Sequence, residues 1–443
     1  MAKPEKTVEQ LKMENIISLC KRRGFIFQGS EIYGGLAGTW DYGPYGVTLK
    51  NNVKDYWWKK FVTDREDMYG MDAAILMNQN VWKATGHVGG FSDPLSECKK
   101  CKKRFRTDQL PDKKKCPECG GEMGEERQFN MLFKTNVGAI ADDTSVSYLR
   151  PETAQGMFVN YKNIIDSFHP KLPFGMAQIG KAFRNEIAPR DFTFRSREFE
   201  QMEIEYLIKP DTWKELFEHF RTEMLDWIKE IGLKQENVYE HEISDEDRAF
   251  YSKRTIDFEF DFPFGRSELY GLAYRTDYDL SRHSKSSGID LIYVDEETRE
   301  KITPHCIEPS LGVDRTVLAI LTSAYTEDEL GGEKRTYLKF VPKMAPVKIA
   351  VFPLLKNKPQ LVEKAREVYK DLKKEFGLVE FDDNGNIGKR YRRQDEIGTP
   401  YCVTVDFDTV EKDSSVTVRD RDTGKQERIE ISKLVGYLKE KLN

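Results

Sequence analysis

The hydrophobic positions of this chain alternate between a helical and a strand period. Residues 8–23 carry Leu11, Ile16, Leu19 and Cys20 at helical spacing. A glycine-rich stretch from Tyr33 to Gly46 leads into a predicted helix over 49–62 with Trp57, Trp58 and Phe61. Residues 151–165 read as one helix with Pro151 in its first turn, where a missing N–H is tolerated. From 174 to 208 the pattern turns extended, with a strand over 175–186, a loop over 187–194 and a second strand over 195–207. An amphipathic helix follows at 211–231, then strands at 256–262, 268–275 and 290–294. An extended segment at 304–310 turns into an apolar helix over 311–321. A boundary falls at Pro342–Pro346. Beyond it come a strand at 347–352, a helix at 358–376 closed by Gly377, strands at 378–382 and 401–406, two late strands and a last helix. Leu361, Ala365, Val368 and Leu372 share one face of the 358–376 helix, so this second unit reads as a small α/β domain.

Composition sets the bounds. The 443 residues suit two to four domains, and 39% hydrophobic content supplies a sizeable core. Seventy basic against 75 acidic residues leave a net charge of -5, so any polyanionic partner must be met by local basic patches. The first residues, Met-Ala-Lys-Pro-Glu-Lys, show no positive-then-apolar pattern. No run approaches the roughly 18 apolar residues of a membrane helix. Seven cysteines, four of them in two close pairs, do not suggest a disulfide framework, and a cytoplasmic protein with no membrane partner is expected.

The paired cysteines are Cys98, Cys101, Cys116 and Cys119. Two C-x-x-C knuckles let four thiolates reach one tetrahedral ion, so a structural Zn2+ is expected, with every ligand position filled by protein. Nine lysines and arginines crowd the same insert, as either a solvated face or a phosphate-contacting one.

The centre of the chemistry is Phe183-Arg-Asn-Glu-Ile-Ala-Pro-Arg190 followed by Phe194-Arg-Ser-Arg-Glu-Phe-Glu-Gln-Met-Glu-Ile-Glu205. Strand alternation puts Arg184 with Glu186, and Phe199 with Gln201 and Glu203. If the two strands pair, one surface carries a guanidinium, carboxylates and an aromatic ring. That set suits a nucleotide, because arginine binds phosphate oxygens and a ring stacks on a base. A solvent-exposed hairpin laced with ion pairs would use the same residues. In Pro304-His-Cys-Ile-Glu-Pro-Ser-Leu-Gly-Val-Asp-Arg315, Cys306, Glu308 and Ser310 share a face, Gly312 permits close backbone approach, and Arg315 leaves the first helical turn. His87 and His305 read as structural or polar lining.

Together these segments resemble motifs 2 and 3 of the class II aminoacyl-tRNA synthetases. Tyr33-Gly-Gly, Asp41-Tyr-Gly-Pro, Val81-Trp-Lys-Ala-Thr-Gly-His87, Phe129-Asn-Met-Leu-Phe133, Pro151-Glu-Thr-Ala-Gln-Gly156 and Glu308-Pro-Ser are similar to the dimeric type of glycyl-tRNA synthetase, over nearly the whole chain. The resemblance implies an α+β fold. Residues 1–91 and 128–342 would form an antiparallel-sheet catalytic domain, 92–127 a zinc-ribbon-like insert, and 346–443 a C-terminal α/β anticodon-binding domain. It implies a homodimer made partly through Gly43-Pro44, with tRNA(Gly), ATP and glycine as substrates and Mg2+ accompanying ATP.

By the same resemblance, Arg184 contacts the ATP α-phosphate and Glu186 the adenine amino group, while Phe199 and Arg315 sandwich the adenine. Arg195 and Arg197 steady the loop and the outer phosphates, and Glu268 holds magnesium. Asn185, Phe194, Ser196, Glu198, Leu269, Gly312, Val313 and Asp314 complete the ATP site. Glu152, Glu203, Glu308 and Ser310 line the glycine site with Phe199, Glu200, Gln201, Met202, Pro309, Leu311 and Gly312, and Arg106 adds a substrate contact. Arg266 stands where the family commonly carries Trp. The glycine carboxylate itself attacks ATP, so no protein nucleophile is needed. Empty, the acidic pocket should repel itself and tend to take up a proton.

The cluster Lys389-Arg-Tyr-Arg-Arg393 reads either as a solvated loop or as an RNA-contacting one, in a region that from residue 345 carries 20 basic and 18 acidic side chains. Two other functions fit much of the pattern. One is a related class II synthetase for histidine, threonine, proline or serine. The other is a non-catalytic, synthetase-like subunit that binds nucleic acid only.

Overall fold

The computed structural model describes residues 7–140, 142–249 and 251–442. The opening Met-Ala-Lys-Pro-Glu-Lys, on which the reading of the N-terminus rests, lies outside them. Among the described residues, seven strands form the main sheet: β1 (Met68–Gly70), β2 (Phe174–Phe183), β3 (Glu198–Ile208), β4 (Val238–Glu242), β5 (Arg254–Phe262), β6 (Gly265–Thr276) and β7 (His305–Gly312). Their spatial order is β4-β5-β6-β7-β3-β2-β1, antiparallel except for β1 beside β2.

Alternation divides this sheet into two unlike faces. Met202, Ile204, Tyr206 and Ile208 of β3 enter the principal core. There they meet helices α1 (Val8–Arg23), α2 (Pro44–Trp58), α5 (Trp213–Glu230) and α7 (Val313–Ala324), whose buried residues join the same cluster. Helix α5 buries Phe217, Phe220, Met224, Trp227 and Ile228, a stripe at helical spacing. The opposite face of β3 shows Gln201, Glu203 and Glu205, all buried. At its deep end this face is closed by α3 (Ala154–Phe158), α4 (Tyr161–Phe168) and α6 (Tyr278–Ser287), which contribute to a smaller apolar cluster with Phe174, Met176 and Leu207.

The insert is a small sheet in which Ser92–Glu97 pairs with both Arg104–Arg106 and Arg127–Asn130. The C-terminal unit holds β8 (Ile349–Pro353), β9 (Val379–Phe381), β10 (Tyr401–Val405), β11 (Ser415–Asp420) and β12 (Gln426–Glu430), in the order β9-β8-β10-β11-β12. Helices α8 (Pro359–Phe376) and α10 (Ile431–Leu442) pack on one face through Ala365, Val368, Leu372, Leu434 and Leu438. Helix α9 (Ile387–Ile397) takes the other. No helix of the described residues is long and apolar enough to cross a membrane.

Two expectations need correction. The single helix over 151–165 is two, α3 and α4. Thr153 donates its backbone N–H to Glu203 at 3.1 Å, so pocket contacts rather than helical ones hold the residues before Ala154. The basic cluster 389–393 is no loop but the body of α9, started by the Asn386 side chain accepting from the Lys389 N–H. Its three arginines are engaged within the protein: Arg390 is buried on backbone carbonyls, Arg392 pairs with Glu333 and Arg393 with Asp382. The joint at 342–346 is packed against the N-terminal region. Met344 and Ala345 are buried, and Asn52 donates to both of their carbonyls.

The N-terminal region is packed against this joint without slack. A Cβ on Gly46, in the first turns of α2, would lie 1.8 Å from the Phe25 carbonyl oxygen, so only glycine fits between helix and backbone. Gly46→Ala is expected to destabilise the protein by about 1–3 kcal/mol. A lower unfolding midpoint in thermal denaturation checks this; an unchanged midpoint would mean that α2 can move away at no cost.

Candidate active site

A cavity of about 250 Å³ opens between the ends of β2, β3, β6 and β7 and the loop joining β2 to β3. Arg184, Glu186, Phe194, Arg195, Phe199, Glu268 and Arg315 all line it. The loop is built to hold these groups out from the sheet. The Arg184 N–H donates to the Arg197 carbonyl at 2.9 Å and continues the hairpin beyond the last strand residue. Arg197 donates to the Glu186 carbonyl at 3.2 and 3.0 Å and to the Ala37 carbonyl at 2.8 Å, tying the loop to the glycine-rich segment. Arg184 lies 5.3 Å from the Phe199 ring centre and donates to the Pro151 carbonyl.

Arg315 is the one residue of α7 that is not buried. Every other side chain of that helix is in the core, so the helix delivers a single guanidinium into the cavity. The guanidinium rests 4.5 Å over the Phe194 ring, not over Phe199, and pairs with Glu268 at 3.2 Å. That pairing holds the Glu268 carboxyl below its ordinary range against the opposing effect of burial. On β5, Glu259 stands opposite Glu268. Neighbouring Asp257 is pushed up to about 7 by burial and then by the charge of Glu268. Three carboxylates thus crowd one edge of the cavity.

The inner half of the site is acidic and closed. Glu203 accepts from the Thr153 N–H at 3.1 Å, from the Thr153 hydroxyl, from Ser310 Oγ at 2.7 Å and from Gln201 Nε2 at 3.1 Å. Glu152 accepts from Gln155 Nε2 at 3.0 Å and faces His87 Nε2 at 3.4 Å. Glu308 receives Arg275 Nη1 at 2.6 Å, and the same guanidinium makes two 2.8 Å bonds to Asp279. Burial raises the Glu203 carboxyl and the charge of Glu152 adds to it, while burial drives Glu308 well above its usual range against Arg275. Glu152 goes the other way: burial would raise it, but His87 and Arg275 outweigh that and hold it low. The expected proton uptake is therefore uneven across the three acids. Space for a small ligand remains because β6 offers Gly271 and Ala273 opposite Ser310 and Glu308. A Cβ on Gly271 would meet nothing nearer than the Asp257 carboxylate at 4.0 Å.

Several expected lining residues point elsewhere. Met202, Leu311 and Val313 are in the principal core, because each alternates with a cavity-facing neighbour or sits on the inner side of α7. Pro309 likewise alternates with Glu308 and Ser310 along β7. Glu198 pairs with Lys181, whereas Glu200 borders the cavity with its carboxylate held by Lys50 and Lys54. Asp314 likewise borders it, its carboxylate accepting from the Tyr42 hydroxyl, Lys50 and the Glu200 N–H. Asn185 donates its backbone N–H to the Met131 carbonyl. Ser196, Leu269 and Gly312 border the cavity. Arg106 also reaches its rim, held by Asp93 and Asp108 at 2.7 Å each. Arg266 turns away from Glu268 to pair with Asp261 and cover the Tyr239 ring. His305 bonds the Tyr274 hydroxyl outside the acidic cluster, whereas His87 belongs to it.

Sequence reasoning missed Arg275, Asp279, Thr153 and Gln155. Arg275 carried a signal, being a charge at the end of the uncharged run 269–274 with a carboxylate four residues on.

In the insert, the sulfur atoms of Cys98, Cys101, Cys116 and Cys119 all lie within 4.8 Å of one another, with Cys98–Cys119 at 3.6 Å and Cys101–Cys116 at 3.7 Å. Four sulfurs at about 2.3 Å around a tetrahedral Zn2+ would stand about 3.8 Å apart, so the donor set fits that ion.

Two family models match the chain: the tRNA synthetase class II core domain (G, H, P, S and T) over residues 133–324 and the anticodon binding domain over 348–441. The chain is also similar to the glycine–tRNA ligase of Clostridium acetobutylicum, at 53% identity over 99% of this chain and 100% of the relative. It is 52% identical to that of Caldanaerobacter subterraneus subsp. tengcongensis over 98% and 99%. With that of Bacillus anthracis the identity is 51% over 97% and 99%. With a class II core, an arginine-lined cavity that closes on buried carboxylates, and relatives this similar over nearly their whole length, the chain belongs to the glycine–tRNA ligase family of class II aminoacyl-tRNA synthetases.

Proposed function

We propose that the protein joins glycine to tRNA(Gly) in two steps at this cavity. The reading is carried by one observation: the arginine-lined cavity reaches Gln201 and Ser310, both bonded to the buried carboxylate of Glu203, where β6 places Gly271 opposite Ser310. In the first step a glycine carboxylate oxygen attacks the α-phosphorus of ATP, the bond to the bridging oxygen breaks and pyrophosphate leaves. In the second, the 3′-terminal ribose hydroxyl of the tRNA attacks the adenylate carbonyl, its proton passes to an oxygen of the departing phosphate and AMP leaves. Arg184 meets the α-phosphate, Glu186 the adenine amino group and Phe199 the adenine face. Arg315 leaves Phe194 to close over the base, and Arg195 and Arg106 steady charged groups at the rim. Catalysis here is positioning and charge neutralisation, with no proton to relay through a side chain.

Glu268 would hold magnesium, with Glu259 and Asp257 behind it. The crowding of these three acids suits a cation, which would neutralise charge on the leaving phosphates. The four insert cysteines would hold a structural Zn2+. The C-terminal unit would meet the anticodon. A homodimer would form around the start of α2, where Ile32, Tyr33, Leu36 and Val47 are exposed. Seven free thiols suit the reducing cytoplasm.

Glycine offers no side chain to grasp, so attraction comes through its ammonium and selection through exclusion. Glu203 and Glu152 attract the ammonium. The tightly bonded strands refuse a methyl at a cost of about 1–3 kcal/mol.

Three outcomes are expected. In ATP–pyrophosphate exchange with a panel of amino acids, glycine alone should support rapid exchange; equal exchange with alanine or serine would reject the pocket assignment. Glu203→Gln removes a charged contact worth about 1.5–3 kcal/mol, so the glycine KM should rise roughly 10–100-fold with little change for ATP. Because the Glu203 carboxyl is raised in the folded protein, glycine affinity should also fall as pH drops through that raised value, and the variant should lose this dependence. Finally, elemental analysis of the purified protein should find one zinc per chain, lost together when Cys98 and Cys119 are replaced by serine; a metal-free native insert would contradict it.

A further inference from the structure

The site contains one acid that the proposed reaction does not use. Glu205 follows Glu203 by two residues on β3 and so faces the same side of the sheet, one step deeper. It is 0% exposed. Its Oε2 accepts from the Cys306 thiol at 3.0 Å, and its Oε1, equally cut off from solvent, has no hydrogen-bond partner. Across the ladder on β2 stands the buried, apolar Met176. The nearby guanidinium, Arg275, is already committed by two bonds to Asp279 and one to Glu308. A carboxylate with one weak thiol donor and no cation of its own is a state that proteins relieve by protonation. The charged groups bearing on it are Glu308 on β7, Arg275 on β6 and Glu203 on its own strand. Burial raises its carboxyl well above the ordinary range, Glu308 and Glu203 push the same way, and Arg275 only partly opposes them.

We propose that Glu205 is a positioning residue for the amino-acid pocket: held as a neutral carboxylic acid beneath the floor, it keeps the cluster's proton away from the acids that meet the substrate ammonium. Ionised, Glu205 would be a fifth negative charge beside Glu152, Glu203, Glu308 and Asp279, and the Arg275 guanidinium that opposes it is already shared by Glu308 and Asp279. The proton it refused would then settle on Glu203 or Glu308, where it would cancel the attraction for an ammonium. With the proton kept on Glu205, Arg275 orders Glu308 and Asp279, and Glu203 and Glu152 stay available. The inference rests on the glycine-pocket reading.

The test compares three variants of the full-length enzyme. Glu205→Ala, which leaves a hole, should raise the glycine KM by about fivefold or more. Glu205→Gln, a neutral isostere, should restore it to within about twofold of wild type while Glu203→Gln does not. A Glu205→Gln enzyme with a glycine KM raised as far as that of Glu203→Gln would overturn the proposal, because the group would then be acting as an anion. The proton itself can be read by infrared spectroscopy, which should show a protonated-carboxyl stretch in the wild-type protein at neutral pH. Cys306→Ser keeps Glu205 in place but exchanges its donor, and should shift that band. A wild-type spectrum without the band, or one that Cys306→Ser leaves unmoved, overturns the proposal even if the Glu205 variants fail to fold. If wild-type enzyme shows no glycine-dependent exchange, the pocket reading fails, and the shift of the infrared band in Cys306→Ser still decides whether Glu205 carries the proton.

Discussion

The structure depends on the register of one strand. Along β3, Met202, Ile204, Tyr206 and Ile208 enter the core, and Gln201, Glu203 and Glu205 take the opposite face. Because side chains alternate with a period of two, a slip of one residue would put three polar groups into the core and four apolar ones into the cavity. Pairing on both sides prevents this: Glu203 stands opposite Gln178 on β2 and opposite Ser310 on β7. The same register that builds the core therefore builds the pocket, and neither can be altered alone.

A buried acidic pocket is a cost that the rest of the site is arranged to limit. Carboxylates at this depth are tolerated only with donors or cations to meet them. Each has a different solution. Glu203 has Thr153, Ser310 and Gln201, Glu152 has His87 and Gln155, and Glu308 and Asp279 divide the guanidinium of Arg275. A further layer, Gln155 between Glu152 and Asp279 with His283 behind it, links these solutions into one network. The far side of the sheet has its own counterpart, in which Lys50 bridges Glu200 and Asp314 and fixes the start of α7. Arg315 is thus positioned from behind by the ion pairs that anchor its neighbour Asp314.

Much of this was legible in the sequence because strands advertise their two faces. The 174–208 hairpin, the 305–324 strand-to-helix joint and the cysteine insert were each readable from spacing, and their key side chains lie together in the structure. Misreadings arose where a run of neighbouring residues was assigned to one site. Met202 and Leu311 lie between cavity residues in sequence but on the other side of the sheet in space. The arginines of 389–393 look exposed by composition, yet carbonyls and acids brought from distant segments absorb them, such as Glu333 on Arg392. Arg275 was overlooked for the converse reason. Its partners Asp279 and Glu308 come from a following helix and another strand, and only the fold shows that the three meet.

The two halves of the site differ in rigidity, and the difference matches what each must recognise. The groups proposed to meet the nucleotide stand on a loop and at a helix start, where Arg184, Arg195 and Arg315 are only partly buried and their contacts can exchange as a large ligand enters. The amino-acid half is carried on central strands, with Glu203 at 2% exposure and its oxygens already bonded. A loose pocket would let the larger amino acid in by relaxing, since the cost of an added methyl depends on how far the surroundings can yield. For the smallest amino acid, then, discrimination has to be located where the backbone is least able to move. The central ladder of β2, β3, β7 and β6 is that place, which explains why Glu203, the acid proposed to meet the ammonium, sits on it rather than on the arginine-bearing loop.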